Sequence, residues 1–280
     1  MISLRLPSLV TIHWLAEHLN DSNLIILDAS LAKPKSKPSD NPLANIQIPG
    51  ARFFDIDHAF SDQGKDLPHT MLSEKAFENE ARKLGINRDS LIVIYDNLGV
   101  YASPRAWWML RAMGHENVAV LDGGLPTWEK RGFPTEEKQT QPFSKGNFVA
   151  NYQAEFFKDS KDILSSMDDP TTLVLDARSK GRFDGTEPEP RAGLRGGHIP
   201  NSVNMHFDKV TRKGTMCSPS ELTEKFKSLG ANDKNLIFSC GSGLTACILA
   251  LAADQAGFKN PSVYDGSWSE WGNGDFLVEV

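Results

Sequence analysis

The sequence predicts an α/β protein made of two tandem copies of one domain, each a mainly parallel sheet flanked by helices. Three observations predict it. The chain has 280 residues, long for one core and natural for two domains of about 100–150 residues each. Its landmarks recur in the same order in both halves. Short runs rich in Ile, Val and Leu alternate with helical segments, the pattern of buried parallel strands joined by helices.

The repeat is read residue by residue. Leu24-Ile25-Ile26-Leu27-Asp28-Ala29 is matched by Leu173-Val174-Leu175-Asp176-Ala177. Ile48-Pro49-Gly50-Ala51 is matched by Ile199-Pro200-Asn201-Ser202. The apolar run Leu91–Tyr95 ends at Asp96, and its counterpart Leu236–Ser239 ends at Cys240. Asp122-Gly123-Gly124 precedes Trp128 as Asp265-Gly266-Ser267 precedes Trp271. So long a period excludes a solenoid, whose repeats run about 20–50 residues. The domains are expected at 1–135 and 153–280. The polar, Pro-containing stretch within Phe133–Tyr152 supplies a linker at 136–152.

Local signals place the helices. In the first copy Ser103-Pro104 reads as an N-cap followed by a proline at the first helical position, and Gly114 closes that helix. Lys33–Pro42, rich in Lys, Pro and Ser, reads as an exposed loop. In the second copy Ser218 and Glu221 have the spacing of a capping box, and Gly230 ends the helix. An apolar helix is expected from about Thr245 to Gln255.

Composition excludes several classes. Net charge is −6 and the pI about 5.7, the wrong sign for a nucleic-acid binder. No apolar run is long enough to span a bilayer. Met1–Leu19 lacks the apolar core and cleavage site of a secretory signal, so a cytoplasmic location is expected. The cysteines are Cys217, Cys240 and Cys247. An odd, small number does not make a disulfide framework, and their spacing makes a poor metal site. A working thiol in a reducing compartment is the better reading.

Ligands of open parallel sheets bind beyond the carboxyl ends of the strands, where Cys240 lies. Gly241-Ser242-Gly243-Leu244-Thr245 follows it and then the helix. The glycines permit a tight curl that turns N–H groups inward, and the helix N-terminus adds positive potential. A sulfur there is favoured as an anion, and a persulfide would be held likewise. Cys247, inside the helix, reads as packing, and Cys217 is given no role. Cysteine-dependent phosphatases use a similar loop but place Arg six residues after the Cys. Here that position is Ala246, and no charged side chain lies from Gly241 to Ala246, so a phosphate would lack its bidentate partner. Arg182 and Arg191 flank a Pro- and Gly-rich turn that can aim two guanidiniums at one small carboxylate.

With these motifs on the page, the chain resembles the rhodanese superfamily over nearly its whole length. His198-Ile199-Pro200, Tyr264–Trp268 and Phe53–Asp57 fit it as well. The Cys240–Thr245 loop is similar to that of the 3-mercaptopyruvate sulfurtransferases, apart from Leu244, where these more often have Val. Thiosulfate enzymes carry basic residues just after the Cys, and Gly241 and Ser242 are neutral. The resemblance implies sulfur transfer from 3-mercaptopyruvate through a Cys240 persulfide. The acceptor is cyanide in an assay, or a thiol such as thioredoxin or a small thiol. It implies Arg182 and Arg191 on the substrate carboxylate and carbonyl, with Gly241, Gly243, Leu244 and Thr245 lining the site. It also implies a relay of Ser242, His69 and Asp57. No metal or organic cofactor, nucleic acid or membrane partner is implied. Asp96, at the place of Cys240, marks the first domain as a catalytically inactive copy. Two alternatives are a thiosulfate sulfurtransferase and a non-catalytic rhodanese-like binding module.

Overall fold

The computed structural model describes residues 6–31, 41–139 and 142–280. The loop read over Lys33–Pro42 therefore lies, except for its last two residues, outside the described residues. The chain forms two compact units. The first holds 1–62, 71–153 and 213–216; the second holds 63–70, 154–212 and 217–280. Residues 63–70, within the range expected for the first domain, thus belong to the second unit.

In the first unit five parallel strands lie in the order Leu9–Val10, Val118–Leu121, Leu91–Tyr95, Leu24–Asp28, Arg52–Phe53. Leu24–Asp28 and Leu91–Tyr95 pair along their full length, as expected of central strands buried on both faces. The helices of this unit are Ile12–His18, Glu74–Lys83, Ser103–Ala112 and Gly124–Lys130. Ser103–Ala112 is buried at every position but Arg111, the mark of a helix packed on all sides. Its start differs from the sequence reading. Ala102 is the cap residue, Ser103 opens the helix, and Pro104 takes the second position. The reason is Asp96, to which the Ser103 hydroxyl donates.

Most of the stretch read as a linker lies along this unit, Thr140 and Gln141 being outside the described residues. Glu136–Glu137 pairs antiparallel with Ile46–Gln47. Phe148 is buried, and its N–H donates to the Ile86 carbonyl.

The second unit repeats the plan. Its parallel strands run in the order Val203–Asn204, Thr172–Asp176, Asn235–Ser239, Ser262–Tyr264, Phe157–Lys158. The helices are Ser160–Ser166, Lys180–Phe183, Pro219–Ser228, Ala246–Gln255 and Ser267–Trp271. The Ser218/Glu221 capping box is present in both directions. Ala246–Ala253 is buried throughout, so this helix is held by the core on every side. Register sets Ser239 opposite Asp176, which delivers Cys240 to the carboxyl edge of the central strand.

Candidate active site

Cys240 follows the central strand directly and is 1% exposed. Of the two loop glycines, only Gly243 uses the left-handed region, at φ 74°. Gly241 matters for space. A Cβ built there would stand 3.0 Å from Arg182 Nη2 and 3.7 Å from Arg191 Nη1. The two guanidiniums expected to meet a carboxylate therefore do converge, at the residue next to the thiol.

Arg182 is not a free fork. Its Nε donates to both oxygens of Glu189 at 3.1 Å, and its Nη2 donates to Glu189 as well. The Glu189 carboxylate is buried and also accepts from Arg178 Nη1 at 2.8 Å. Arg178 is fully buried; it pairs with Asp176, donates to the Gly197 carbonyl and lies over the Trp268 ring. Burial works against the Arg178 cation, but Asp176 and Glu189 outweigh it and hold the guanidinium above its ordinary value. The result is a chain of alternating charge, Asp176–Arg178–Glu189–Arg182, running from the strand end to Gly241. Arg191 makes no ion pair among the described residues.

His69, at φ 60°, is one of few non-glycine residues in the left-handed region. Its Nδ1 lies 3.0 Å from Ser242 Oγ. Two of the three expected relay residues thus meet within the second unit. Asp57 belongs to the first unit, exposed in the turn after Arg52–Phe53. Leu244 is buried and Thr245 is the cap residue of Ala246–Gln255. Cys247 Sγ is directed to the Gly243 carbonyl at 3.2 Å. Cys217 is buried, and no metal-binding group of three His, Cys, Asp or Glu occurs among the described residues.

Two of the loop N–H groups differ from the expected inward curl. Those of Cys240 and Gly243 donate to Ser267 Oγ at 3.2 and 3.1 Å. Trp268 N–H donates to the Cys240 carbonyl, and Ser269 donates to the Gly241 carbonyl through N–H and hydroxyl. The segment Tyr264–Trp268 carries a family resemblance in the sequence but no visible task. Glu189, Arg178 and Asp176 likewise have no role that the sequence alone marks. The signal for Glu189 was a carboxylate held between two prolines and two arginines.

The first unit holds a different loop at the same place. The Asp96 carboxylate is fully buried and accepts the N–H groups of Leu98, Tyr101, Ala102 and Ser103, together with the Ser103 hydroxyl. Burial drives its affinity for a proton above the ordinary carboxylate value, against these five donors.

A family model for the rhodanese-like domain matches residues 11–131 and again 159–273. The chain belongs to the rhodanese family. Among rhodaneses it is 39% identical over 270 residues to a 3-mercaptopyruvate sulfurtransferase of Escherichia coli strain K12, covering 95% of each chain. It is 40% identical over 273 residues to the 3-mercaptopyruvate sulfurtransferase of Rattus norvegicus, covering 94% of this chain and 91% of that one. A thiosulfate sulfurtransferase of Bos taurus is 37% identical over the same length. The crystal structure of the 3-mercaptopyruvate sulfotransferase SseA from Escherichia coli superposes with a TM-score of 0.84 at 36% identity. That match covers 94% of this rhodanese and 99% of SseA.

Proposed function

We propose that this rhodanese is a 3-mercaptopyruvate sulfurtransferase that carries sulfur as a persulfide on Cys240. The observation that carries the reading is the meeting of Arg182 and Arg191 at Gly241, beside the thiol. A neutral loop with two guanidiniums just outside it suits a donor with one carboxylate. A thiosulfate dianion would meet no cation within the loop.

The Cys240 thiolate attacks the donor sulfur. The carbon–sulfur bond breaks, its electron pair passes to carbon, and pyruvate leaves as an enolate that takes a proton. Ser242 is the donor of that proton and recovers one from His69, whose Nδ1 faces its hydroxyl. Asp57 enters as the third relay member on the resemblance. Gly241, Gly243, Leu244 and Thr245 shape the bed. In the Asp96 loop the same strand–loop–helix turn gathers four N–H groups and a hydroxyl on one acidic side chain. By position, those N–H groups correspond to the ones of Ser242, Thr245, Ala246 and Cys247; Cys247 N–H donates to the Leu244 carbonyl, and the other three would face a persulfide. A thiol acceptor then attacks the outer sulfur and restores Cys240.

Residues 1–135 form the copy without a nucleophile, Asp96 standing in place of the Cys, joined through 136–152 to the domain at 153–280 that carries Cys240. The acceptor is thioredoxin or a small thiol, and the location is cytoplasmic. No helix among the described residues is long and apolar enough to cross a membrane.

The test is intact-protein mass spectrometry with mercaptopyruvate, coupled to donor kinetics. Wild type gains one sulfur on Cys240, Cys240→Ser gains none, and kcat/KM favours mercaptopyruvate over thiosulfate. A preference for thiosulfate overturns the donor, and sulfur on Cys217 or Cys247 overturns the nucleophile.

A further inference from the structure

The internal repeat supplies a comparison for the residue that closes the nucleophile loop. Gly124 and Ser267 occupy the same place after the Asp-Gly pair. Both are left-handed, at φ 51° and 49°. For glycine this region is ordinary; for serine it is strained. In the first unit a Cβ at Gly124 would stand 2.4 Å from the Asp96 carbonyl oxygen and 2.5 Å from that of Gly99. In the second unit the corresponding residues are Cys240 and Gly243. There the N–H groups of both donate to the Ser267 hydroxyl. The Ser267 hydroxyl donates in turn to the Tyr264 carbonyl at 2.8 Å. Ser267 is fully buried.

Strain of this kind persists where the surrounding structure over-determines it, and it gathers at functional sites. Here the gain set against it is specific. One hydroxyl ties both ends of the Cys240–Gly243 turn and fixes the direction of the nucleophile. We propose that Ser267 is a positioning residue for Cys240. Its hydroxyl, kept at a glycine-type backbone position, holds the loop in the form that reacts with a sulfur donor. The proposal rests on Cys240 as the nucleophile. Ser267 itself touches no substrate in this reading.

The experiment compares Ser267→Gly and Ser267→Ala with wild type in the full chain. Both lose the hydroxyl, but only Gly relieves the backbone. Three quantities are read: melting temperature, the kcat and KM for mercaptopyruvate, and the rate of Cys240 alkylation by iodoacetamide. The alkylation needs no sulfur donor. It therefore tests the loop even if wild type proves inactive with mercaptopyruvate, an outcome that would count against the proposed function alone. Ser267→Gly is expected to melt above Ser267→Ala, because strain is removed. Both variants should lose about tenfold or more in kcat, the scale on which misaligned reacting groups cost rate. KM should stay within about twofold, since Arg182 and Arg191 are untouched. Alkylation should change equally in both variants. Activity and alkylation that follow melting temperature, with Ser267→Gly close to wild type, overturn the proposal. So does a kcat near wild type in both.

Discussion

Glu189 shows how a residue with no contact to the thiol can govern substrate binding. It accepts from Arg182 on one side and from Arg178 on the other, away from solvent. Part of the Arg182 fork is therefore committed to holding its own position, and Arg191 is left to meet the carboxylate more freely. Glu189→Gln keeps the shape but weakens both charge-assisted contacts, each worth about 1.5–3 kcal/mol. The variant should raise KM for mercaptopyruvate by about tenfold, equivalent to about 1.4 kcal/mol, with a smaller change in kcat. It should also lower the melting temperature, because buried Arg178 keeps only one acidic partner. Steady-state kinetics and a thermal melt read both effects, and an unchanged KM would remove Glu189 from the site. The pair Arg182 and Arg191 was legible in the sequence because both flank one stiff turn. The ladder behind them was not. A carboxylate between prolines reads as solvent-facing until the fold brings Arg178, three-dimensionally adjacent but eleven residues away, onto it.

Among elements, the long central strands were legible and the edge strands were not. Leu91–Tyr95 and Leu24–Asp28 are continuous apolar runs, the pattern of a strand buried on both faces. Leu9–Val10, Arg52–Phe53, Phe157–Lys158 and Val203–Asn204 are two residues each, too short to carry any period. The helix after Asp96 was legible in extent but not in its start, because its N–H groups are taken by a carboxylate seven residues before the serine that resembled a cap. Asp96→Ala removes that acceptor from four N–H groups and one hydroxyl. Unpaired buried donors cost about 1–3 kcal/mol each, and relaxation of the loop recovers part of this, so a loss of about 2–4 kcal/mol is expected. Amide exchange at Tyr101, Ala102 and Ser103 should accelerate with it. Protection equal to wild type at these three amides would contradict the assignment of Asp96 as the helix anchor.

At the scale of the molecule, one design is used twice for opposite ends. Each copy turns from a central strand through a loop into a buried helix, and each loop is closed by a different group. In the first the side chain at the strand end closes it; in the second a serine from a later helix does, leaving the strand-end side chain available for reaction. The repeat itself was legible because strands and turns recur in order, whereas this exchange of closures depends on backbone directions that letters do not record. The expected stoichiometry follows: one sulfur per chain at saturating mercaptopyruvate. Asp96→Cys should not raise it to two, because that loop has Gly124 where the other has Ser267. Intact mass after donor treatment decides this, and a second added sulfur in Asp96→Cys would show that the first loop was already competent.

The near-complete burial of Cys240 has a consequence for selectivity over time. Oxidation of a thiol follows its exposure, and at 1% exposure the resting sulfur is screened from bulky reagents. Loading adds an atom about 2.05 Å beyond Sγ along the disulfide-type bond. What an acceptor meets first is then the borrowed sulfur, not the one that belongs to the chain. On the proposed mechanism an acceptor need reach only this transferred atom, one bond beyond a thiol that the fold itself keeps covered.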